Sequence, residues 1–227
     1  MNNRSVLGSL IVILAATLLG GCASSAQQSE AEWDGLVRQP NSRLSAVFVR
    51  PGAKEDMSAF RSVILDPVYI SFSSDFESGR RSGSAARRLN AEDLAAIRQN
   101  LADVFHRIFR EELAAGGYEL VEEPGPETLR VSAAIVDLFI TAPAAAEPLG
   151  RSRTYTANSG RMTLVAELRD SVTGEILARA VDGRSGRNTG LVTITNRVTN
   201  TADAQRAIRV WARALRDGLD ELYGRSS

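Results

Sequence analysis

Cysteine, histidine and lysine are almost missing from this 227-residue chain, which holds one residue of each: Cys22, His106 and Lys54. A chain with one cysteine has no internal disulfide and no cysteine-based metal site. With a single histidine, a zinc site would need an uncommon set of carboxylates. Nucleotide-binding glycine loops of the G-x-x-x-x-G-K-[ST] or G-x-G-x-x-G type are also missing. We therefore predict no metal, no cofactor and no catalytic residue, and not an enzyme.

The chain also lacks an excess of charge of either sign. Its 27 basic residues balance its 27 acidic residues, so the formal net charge is zero. Nucleic-acid binding depends on clusters of positive charge that neutralise phosphates. The balanced composition therefore predicts no nucleic-acid partner and no general attraction to anionic lipid surfaces.

Long apolar runs are limited to one, residues 6–19, which follows Arg4. Its 14 residues are fewer than the about 20 that a membrane-spanning helix needs. A basic residue followed by a short apolar run is typical of a signal peptide. The run ends in Leu19-Gly20-Gly21-Cys22, which resembles a bacterial lipobox. An ordinary cleaved signal peptide with an incidental cysteine is the alternative.

The lipobox resemblance implies cleavage before Cys22 and lipidation of its thiol. Two or more acyl chains anchor a protein stably, whereas one chain binds only marginally. Ala23 stands where an aspartate would resemble an inner-membrane retention signal. We predict a signal peptide at 1–21, a lipidated flexible tether at 22–41, and one periplasmic α/β domain at 42–227. The expected location is the outer membrane, with the domain facing the periplasm.

Two amphipathic helices and several strands are predicted in that domain. Apolar residues recur at helical spacing over 90–115, where Asn90 is a candidate N-cap, and over 201–223. Strand patterns lie at 44–49, 62–72, 118–121, 129–140, 161–169 and 176–181. Residues 73–88 are rich in Gly, Ser and Arg and predict a loop. The order favours an α/β protein of the α+β type: one mostly antiparallel sheet of about five strands, with two main helices packed on it.

Four stretches in this order, behind a lipobox, carry a family resemblance. They are residues 63–68 (VILDPV), 118–126, 170–175 (DSVTGE) and the helix around Trp211. Together they resemble the bacterial lipoprotein family known as domain of unknown function 3313. The motifs are structural in type, so the resemblance implies no catalytic residues.

Three places are candidates for chemistry or contact. His106 on the first helix is expected to be a solvated side chain. Asp66 and Asp137 interrupt apolar strands and would form a carboxylate pair if the strands were neighbours, although an aspartate before proline is commonly a turn device. Residues 141–159, with Arg151, Arg153 and Tyr155, are either a contact loop or a disordered crossover.

The leading functional prediction is a non-enzymatic lipoprotein whose domain engages an envelope protein. The alternative is a small-molecule or lipid-binding accessory of an envelope transport system, which would use a pocket between the sheet and the helices. A pocket lined mainly by apolar residues would favour the alternative, whereas an exposed apolar patch without a pocket would favour the interaction module. A hydrolase based on carboxylates is the third and weakest hypothesis.

Overall fold

The computed structural model describes residues 32–40, 42–82, 89–140, 155–156, 160–185, 193–194 and 197–222. Their strands are β1 (Glu32–Trp33), β2 (Leu36–Arg38), β3 (Ala46–Val49), β4 (Ser62–Leu65), β5 (Tyr69–Phe72), β6 (Glu119–Leu120), β7 (Thr128–Ile140), β8 (Tyr155–Thr156), β9 (Gly160–Asp170), β10 (Ile176–Ser185) and β11 (Thr193–Ile194). Their helices are α1 (Ala53–Met57), α2 (Ser74–Ser82), α3 (Ala91–Ala115) and α4 (Arg197–Leu222).

The main sheet is mixed. Eight strands follow the order β1-β2-β3-β10-β9-β7-β4-β6, and β5 also pairs with β7. β4 and β5 run parallel to β7, and β6 runs parallel to β4, while the other pairs are antiparallel. The prediction of a mostly antiparallel sheet of about five strands with two main helices is therefore wrong. The physical reason is α3, which carries the chain back across the sheet so that β7 enters parallel to β4 and β5.

The predicted strand at 62–72 is divided into β4 and β5 by Pro67. Proline cannot donate to a strand ladder, so pairing stops around it. The backbone amides on both sides of Pro67 are still hydrogen-bonded. The Asp66 amide donates to the Val131 carbonyl at 3.0 Å, and the Val68 amide donates to Nε2 of His106 at 3.3 Å. The two short strands thus occupy one position beside β7.

Helix α3 begins and ends as its sequence predicts. The Asn90 side chain accepts a hydrogen bond from the Asp93 amide at 2.8 Å, and the Asp93 carboxylate accepts one from the Asn90 amide at 2.9 Å. This reciprocal pair is a capping box. The buried side of α3 packs with α4 on one face of the sheet, where Phe105, Ile108 and Trp211 are at most 1% exposed.

The sheet extends into the segment predicted as a flexible tether. β1 and β2 form an antiparallel pair, and Leu36 is fully buried. Arg179 holds this hairpin: its Nη1 donates to Asp34 at 2.9 Å, and its guanidinium lies 4.1 Å from the centre of the Trp33 ring. Strands of two and three residues contain too few apolar positions to show a strand pattern.

Residues predicted as a loop at 73–88 contain α2, whose Phe76 is 1% exposed and stacks on Phe72 at 4.9 Å. The buried Phe76 therefore attaches α2 to the core. The polar residues around it gave no helical pattern in the sequence. Among the described residues, no helix is both long enough and apolar enough to cross a membrane.

Candidate functional site

An apolar groove of about 550 Å³ opens between α3, α4 and one end of the sheet. This volume lies within the range of about 300 to 1,000 Å³ that is usual for ligand sites. The apolar lining residues are Leu89, Ala96, Ile97, Leu101, Val104, Leu138, Phe139, Ile140, Met162, Ala204 and Ala207. More than half of the lining is thus apolar, and the polar groups stand among the remaining residues.

Small side chains on α4 explain why the groove exists. Ala204 and Ala207 face the groove from α4, whereas α3 contributes Ile97 and Val104. Farther along α4 the larger Trp211 fills the space against the sheet and is 1% exposed. The two helices are therefore separated by a cavity near the start of α4 and packed closely beyond it.

A break in β7 shapes the floor of the groove. The register with β9 shifts between Val136 and Phe139, and Asp137 has a positive φ of 53°. A bulge of this kind turns the following side chains, which here include Leu138 and Phe139. Opposite the bulged strand, Gly160 has a φ of 140°, and a Cβ there would lie 2.6 Å from the Phe139 carbonyl oxygen.

Two arginines lie at the groove. Arg161 donates from Nη2 to Asp75 at 2.6 Å, and its guanidinium lies 4.5 Å from the centre of the Phe139 ring. Arg184 donates from Nε to Asp182 at 2.5 Å. Within the described part of the chain, the two Nη groups of Arg184 have no hydrogen-bond partner. They remain available to an acceptor in the groove.

The three carboxylates of the groove already have partners. Asp93 belongs to the capping box of α3, and Asp103 accepts from the Gln99 amide at 2.8 Å. Asp203 forms an ion pair with Arg206. Asp93 and Asp103 thus keep their negative charge, and both arginines are paired with an aspartate. What the groove offers a ligand is the hydrogen-bonding capacity of the Arg184 Nη groups.

Asp182 is a buried carboxylate that joins the sheet to α4. It accepts from the Trp211 indole at 2.8 Å and from the Ser45 amide and hydroxyl at 2.9 and 2.8 Å, besides Arg184. Burial alone would raise the pKa of Asp182, but these hydrogen bonds outweigh burial and hold its pKa below the ordinary value. The carboxylate is thus charged and fixes the orientation of Arg184.

The face of the sheet opposite the helices carries an apolar row across five strands. Strand registers place Tyr69, Ala134, Val165, Val181 and Ala46 side by side. They alternate with residues of the core, so their side chains point away from α3 and α4. Tyr69 is 67% exposed, which makes this row a second candidate for contact.

A second, wider opening of about 1,000 Å³ lies between β3, α1 and the later part of α4. Val47, Val49 and Leu215 are among its apolar residues, and Lys54 and Glu221 are among its charged ones. Its volume lies at the upper end of the range that is usual for ligand sites. Its acids include Asp217, which pairs with Arg43 at the opening.

The predicted lipidation site Cys22 lies outside the described residues, as do Arg151 and Arg153 of the predicted contact loop. The backbone of Tyr155 belongs to β8, which pairs with β11 in a separate two-stranded sheet. These expectations therefore remain predictions.

Asp66 and Asp137 do not form a pair. The Asp66 amide bonds to Val131, and Asp137 lies six residues farther along β7, which is about 20 Å at the usual rise of a strand. The Asp66 carboxylate accepts from the Ser132 hydroxyl at 2.6 Å and lies 3.3 Å from Nε of Arg130. Its contacts are those of a structural carboxylate beside a strand break.

His106 is half-buried rather than fully solvated, and its Nε2 accepts from the Val68 amide. Burial and the nearby Arg110 lower the pKa of His106, and Asp103 partly offsets them. The imidazole is therefore neutral at pH 7, with its proton on Nδ1. It holds the link between β4 and β5 against α3.

The alternative hypothesis placed a pocket between the sheet and the helices, but sequence reasoning did not identify its lining residues or its arginines. Arg161 and Arg184 lie at the start of β9 and near the end of β10, 23 positions apart, and only strand pairing makes them neighbours. The sequence signal for a groove was the broad apolar face of α3. Ile97 and Val104 belong to that face but are only partly buried by the core.

Comparisons with known proteins give one family match. The family model described as Protein of unknown function (DUF3313) matches residues 25–215. None of the curated proteins matches the chain.

Solved structures provide distant similarities. The PelC dodecamer from Paraburkholderia phytofirmans aligns at 12% identity over 70% of this chain and 89% of its own, with a TM-score of 0.36. A minor lipoprotein from Acinetobacter baumannii aligns at 10% identity over 73% of this chain and 95% of its own, with a TM-score of 0.30.

Proposed function

The chain belongs to the family described as Protein of unknown function (DUF3313), and from this premise we propose that it is a non-enzymatic envelope lipoprotein that binds an apolar ligand in its groove. The family match confirms the resemblance carried by the four stretches of the sequence. The groove of about 550 Å³ between α3, α4 and the sheet is the observation on which the proposed binding activity rests. It favours the predicted ligand-binding accessory over the interaction module.

The absence of catalysis is part of the proposal. His106 and Asp66 are the sequence candidates for chemistry, and both are engaged in contacts that hold the strand break. Asp137 is about 20 Å away along β7. These placements support a binding role for the domain.

Anchoring through Cys22 in the outer membrane, with the domain in the periplasm, is the second part of the proposal. We expect the wild-type protein in the outer-membrane fraction and a Cys22→Ser variant in the soluble periplasmic fraction, because replacing the thiol removes the site of acylation. Equal amounts of both forms in the membrane fraction would contradict anchoring through Cys22.

Ligand binding is testable with the neutral apolar dye N-phenyl-1-naphthylamine, whose fluorescence rises in apolar surroundings. Ala95 and Ala96 are neighbouring exposed residues of α3, and only Ala96 lines the groove. We expect Ala96→Trp to weaken dye binding at least tenfold and Ala95→Trp to leave it unchanged. Equal binding by the two variants would overturn the groove as the binding site.

The exposed sheet row supports a second candidate, the predicted engagement of an envelope protein. Tyr69 is 67% exposed within this row, and Val172 is 63% exposed in the turn between β9 and β10. In cells, Tyr69→Asp should reduce the yield of cross-linked partner protein, while Val172→Asp should not. Deleting 143–158 tests the predicted contact loop of Arg151, Arg153 and Tyr155 separately. Full partner recovery by both the deletion and Tyr69→Asp would argue against this candidate.

A further inference from the structure

We propose that the ligand of the groove is a single-chain fatty acid, with its carboxylate against Arg161 and Arg184 and its acyl chain along the apolar floor. This inference rests on the proposed function, because it names the ligand of the same groove. Its support comes from the length of the groove, its width and its hydrogen-bond donors.

The length of the groove matches one acyl chain. Its α3 side runs from Asp93 to Val104, which is about 17 Å at the rise of an α-helix. The hydrocarbon core of a bilayer is about 30 Å thick, so one leaflet of acyl chains is about 15 Å deep. A chain of ordinary membrane length therefore fits along α3 between these residues.

The width of the groove favours one chain. Its opening results from two alanines, Ala204 and Ala207, standing where larger residues would meet α3. Exchanging large side chains for alanine along one side of one helix frees a gap about one side chain wide. A lipid with two chains side by side would have to push α3 and α4 apart.

The hydrogen-bond donors of Arg184 favour a carboxylate as the ligand's headgroup. Arg184 is fixed through Nε by Asp182, whose side chain is 3% exposed, so its two Nη groups are oriented before a ligand arrives. An oriented guanidinium can bind a carboxylate through two parallel hydrogen bonds. Arg161 also lines the groove, where it pairs with Asp75 and lies 4.5 Å from the centre of the Phe139 ring.

The three carboxylates of the groove lie on a different side of it from the two arginines. Asp93 and Asp103 accept hydrogen bonds within α3, and Asp203 pairs with Arg206 within α4. They lie on the helices, whereas both arginines lie on the sheet. A fatty acid with its carboxylate toward the sheet therefore meets the two arginines rather than the helix carboxylates.

Displacement of N-phenyl-1-naphthylamine from the full-length Cys22→Ser protein tests the proposal. This form removes the protein's own expected acyl chains from competition. Saturated fatty acids of 8, 10 and 12 carbons are compared below their micelle concentrations. We expect each added methylene to tighten binding by about fourfold, because about that much is gained by burying one methylene.

The headgroup is tested by comparing laurate with dodecanol, which has the same chain and no charge. Laurate should bind about tenfold more tightly or better, as expected for hydrogen bonds to a charged group. Arg184→Gln and Arg161→Gln should each reduce this preference, and Arg184→Lys should retain part of it. Arg107→Gln is the control, because Arg107 is exposed on α3 and pairs with Glu111 away from the groove.

The outcomes separate this proposal from the proposed function. In one outcome, Ala96→Trp abolishes dye binding, but laurate and dodecanol bind with equal affinity. This result would overturn the fatty acid as the ligand and would leave the groove as an apolar ligand site. In another outcome, Ala96→Trp and Ala95→Trp affect dye binding equally. This result would overturn the groove as the binding site, and with it the proposed fatty acid ligand. A laurate preference that Arg161→Gln and Arg184→Gln leave unchanged would also overturn the proposed headgroup contact.

Discussion

At the scale of single residues, Asp182 links three parts of the described structure near the groove. It contacts Ser45 before β3, Trp211 in α4 and Arg184 on its own strand. The four hydrogen bonds balance the cost of burying its charge. Removing its carboxylate therefore leaves the buried Trp211 indole without its acceptor and also frees Ser45 and Arg184.

We predict that Asp182→Ala lowers the free energy of unfolding by about 3 kcal/mol, because it removes the acceptor of a buried charged network. The matched control is Glu111→Ala, which removes an exposed carboxylate paired with Arg107 and should cost less than about 0.5 kcal/mol. Urea unfolding of both variants measures the difference. Similar losses in the two variants would contradict the assigned role of Asp182.

His106 predicts a pH dependence of stability. Its folded pKa lies below the value of about 6.5 expected in the unfolded chain, because of burial and Arg110. The unfolded state therefore binds the proton more readily. The stability tied to neutral His106 is complete above pH 6.5 and is lost as the pH falls through the lower folded pKa.

Protonated Nε2 would face the Val68 amide donor to donor, which explains why the contact requires the neutral ring. In urea unfolding between pH 7.5 and 5, the wild type should lose stability that a His106→Gln variant does not lose. Parallel curves for the two proteins would contradict this assignment.

Local sequence predicted some residue roles and missed others. The Asn90 cap and its partner Asp93 were predictable, because both partners lie within four residues of one another. The contacts of His106 with Val68 and of Asp182 with Ser45 span 38 and 137 positions. No periodicity encodes such contacts, so the sequence led to the expectation of a solvated His106.

At the scale of elements, the junction between β7 and β9 is the most constrained part of the groove. Asp137 and Gly160 both have positive φ, and Gly160 lies under the Phe139 carbonyl oxygen. A side chain at 160 would meet both backbone strain and a close contact. This junction therefore depends on a glycine at 160.

We predict that Gly160→Ala lowers the free energy of unfolding by about 1 to 3 kcal/mol. Gly183→Ala is the control within the same sheet, because a Cβ there would meet only the Thr163 hydroxyl at 3.8 Å. That change should leave stability equal or raise it by up to about 1 kcal/mol. Thermal unfolding of both variants checks the contrast, and equal effects would contradict it.

The two predicted helices and the strand predicted at 129–140 agree closely with the structure, because each has its own period. The helix predicted at 90–115 is α3 at Ala91–Ala115, and the strand predicted at 129–140 is β7 at Thr128–Ile140. Strand partners have no such local signal. The parallel pairing of β4 and β5 with β7 follows from where α3 packs, so the antiparallel prediction was wrong.

At the scale of the whole molecule, the two faces of the sheet differ in what covers them. α3 and α4 cover one face and leave the groove near the start of α4, while the other face exposes the row around Tyr69. The β1–β2 hairpin attaches to the sheet through Arg179, and it lies ten positions after the predicted anchor Cys22. An anchored chain would therefore hold this domain close to the membrane surface.

The groove itself could not be predicted from the sequence. It depends on where Ala204 and Ala207 of one helix stand relative to another helix about 100 residues earlier. Alanine in a helix is common and carries no sign of a cavity. The sequence could predict only that a ligand site, if present, would be apolar and would lie between the sheet and the helices.

Native mass spectrometry of the Cys22→Ser protein purified from its own cells tests the central claim most directly. Bound ligand should appear as a discrete mass adduct on the Cys22→Ser protein and on the same protein with Ala95→Trp. Ala96→Trp, which fills the groove, should abolish that adduct. An adduct of equal intensity in all three proteins, or no adduct in any of them, would contradict a ligand-binding groove between α3 and α4.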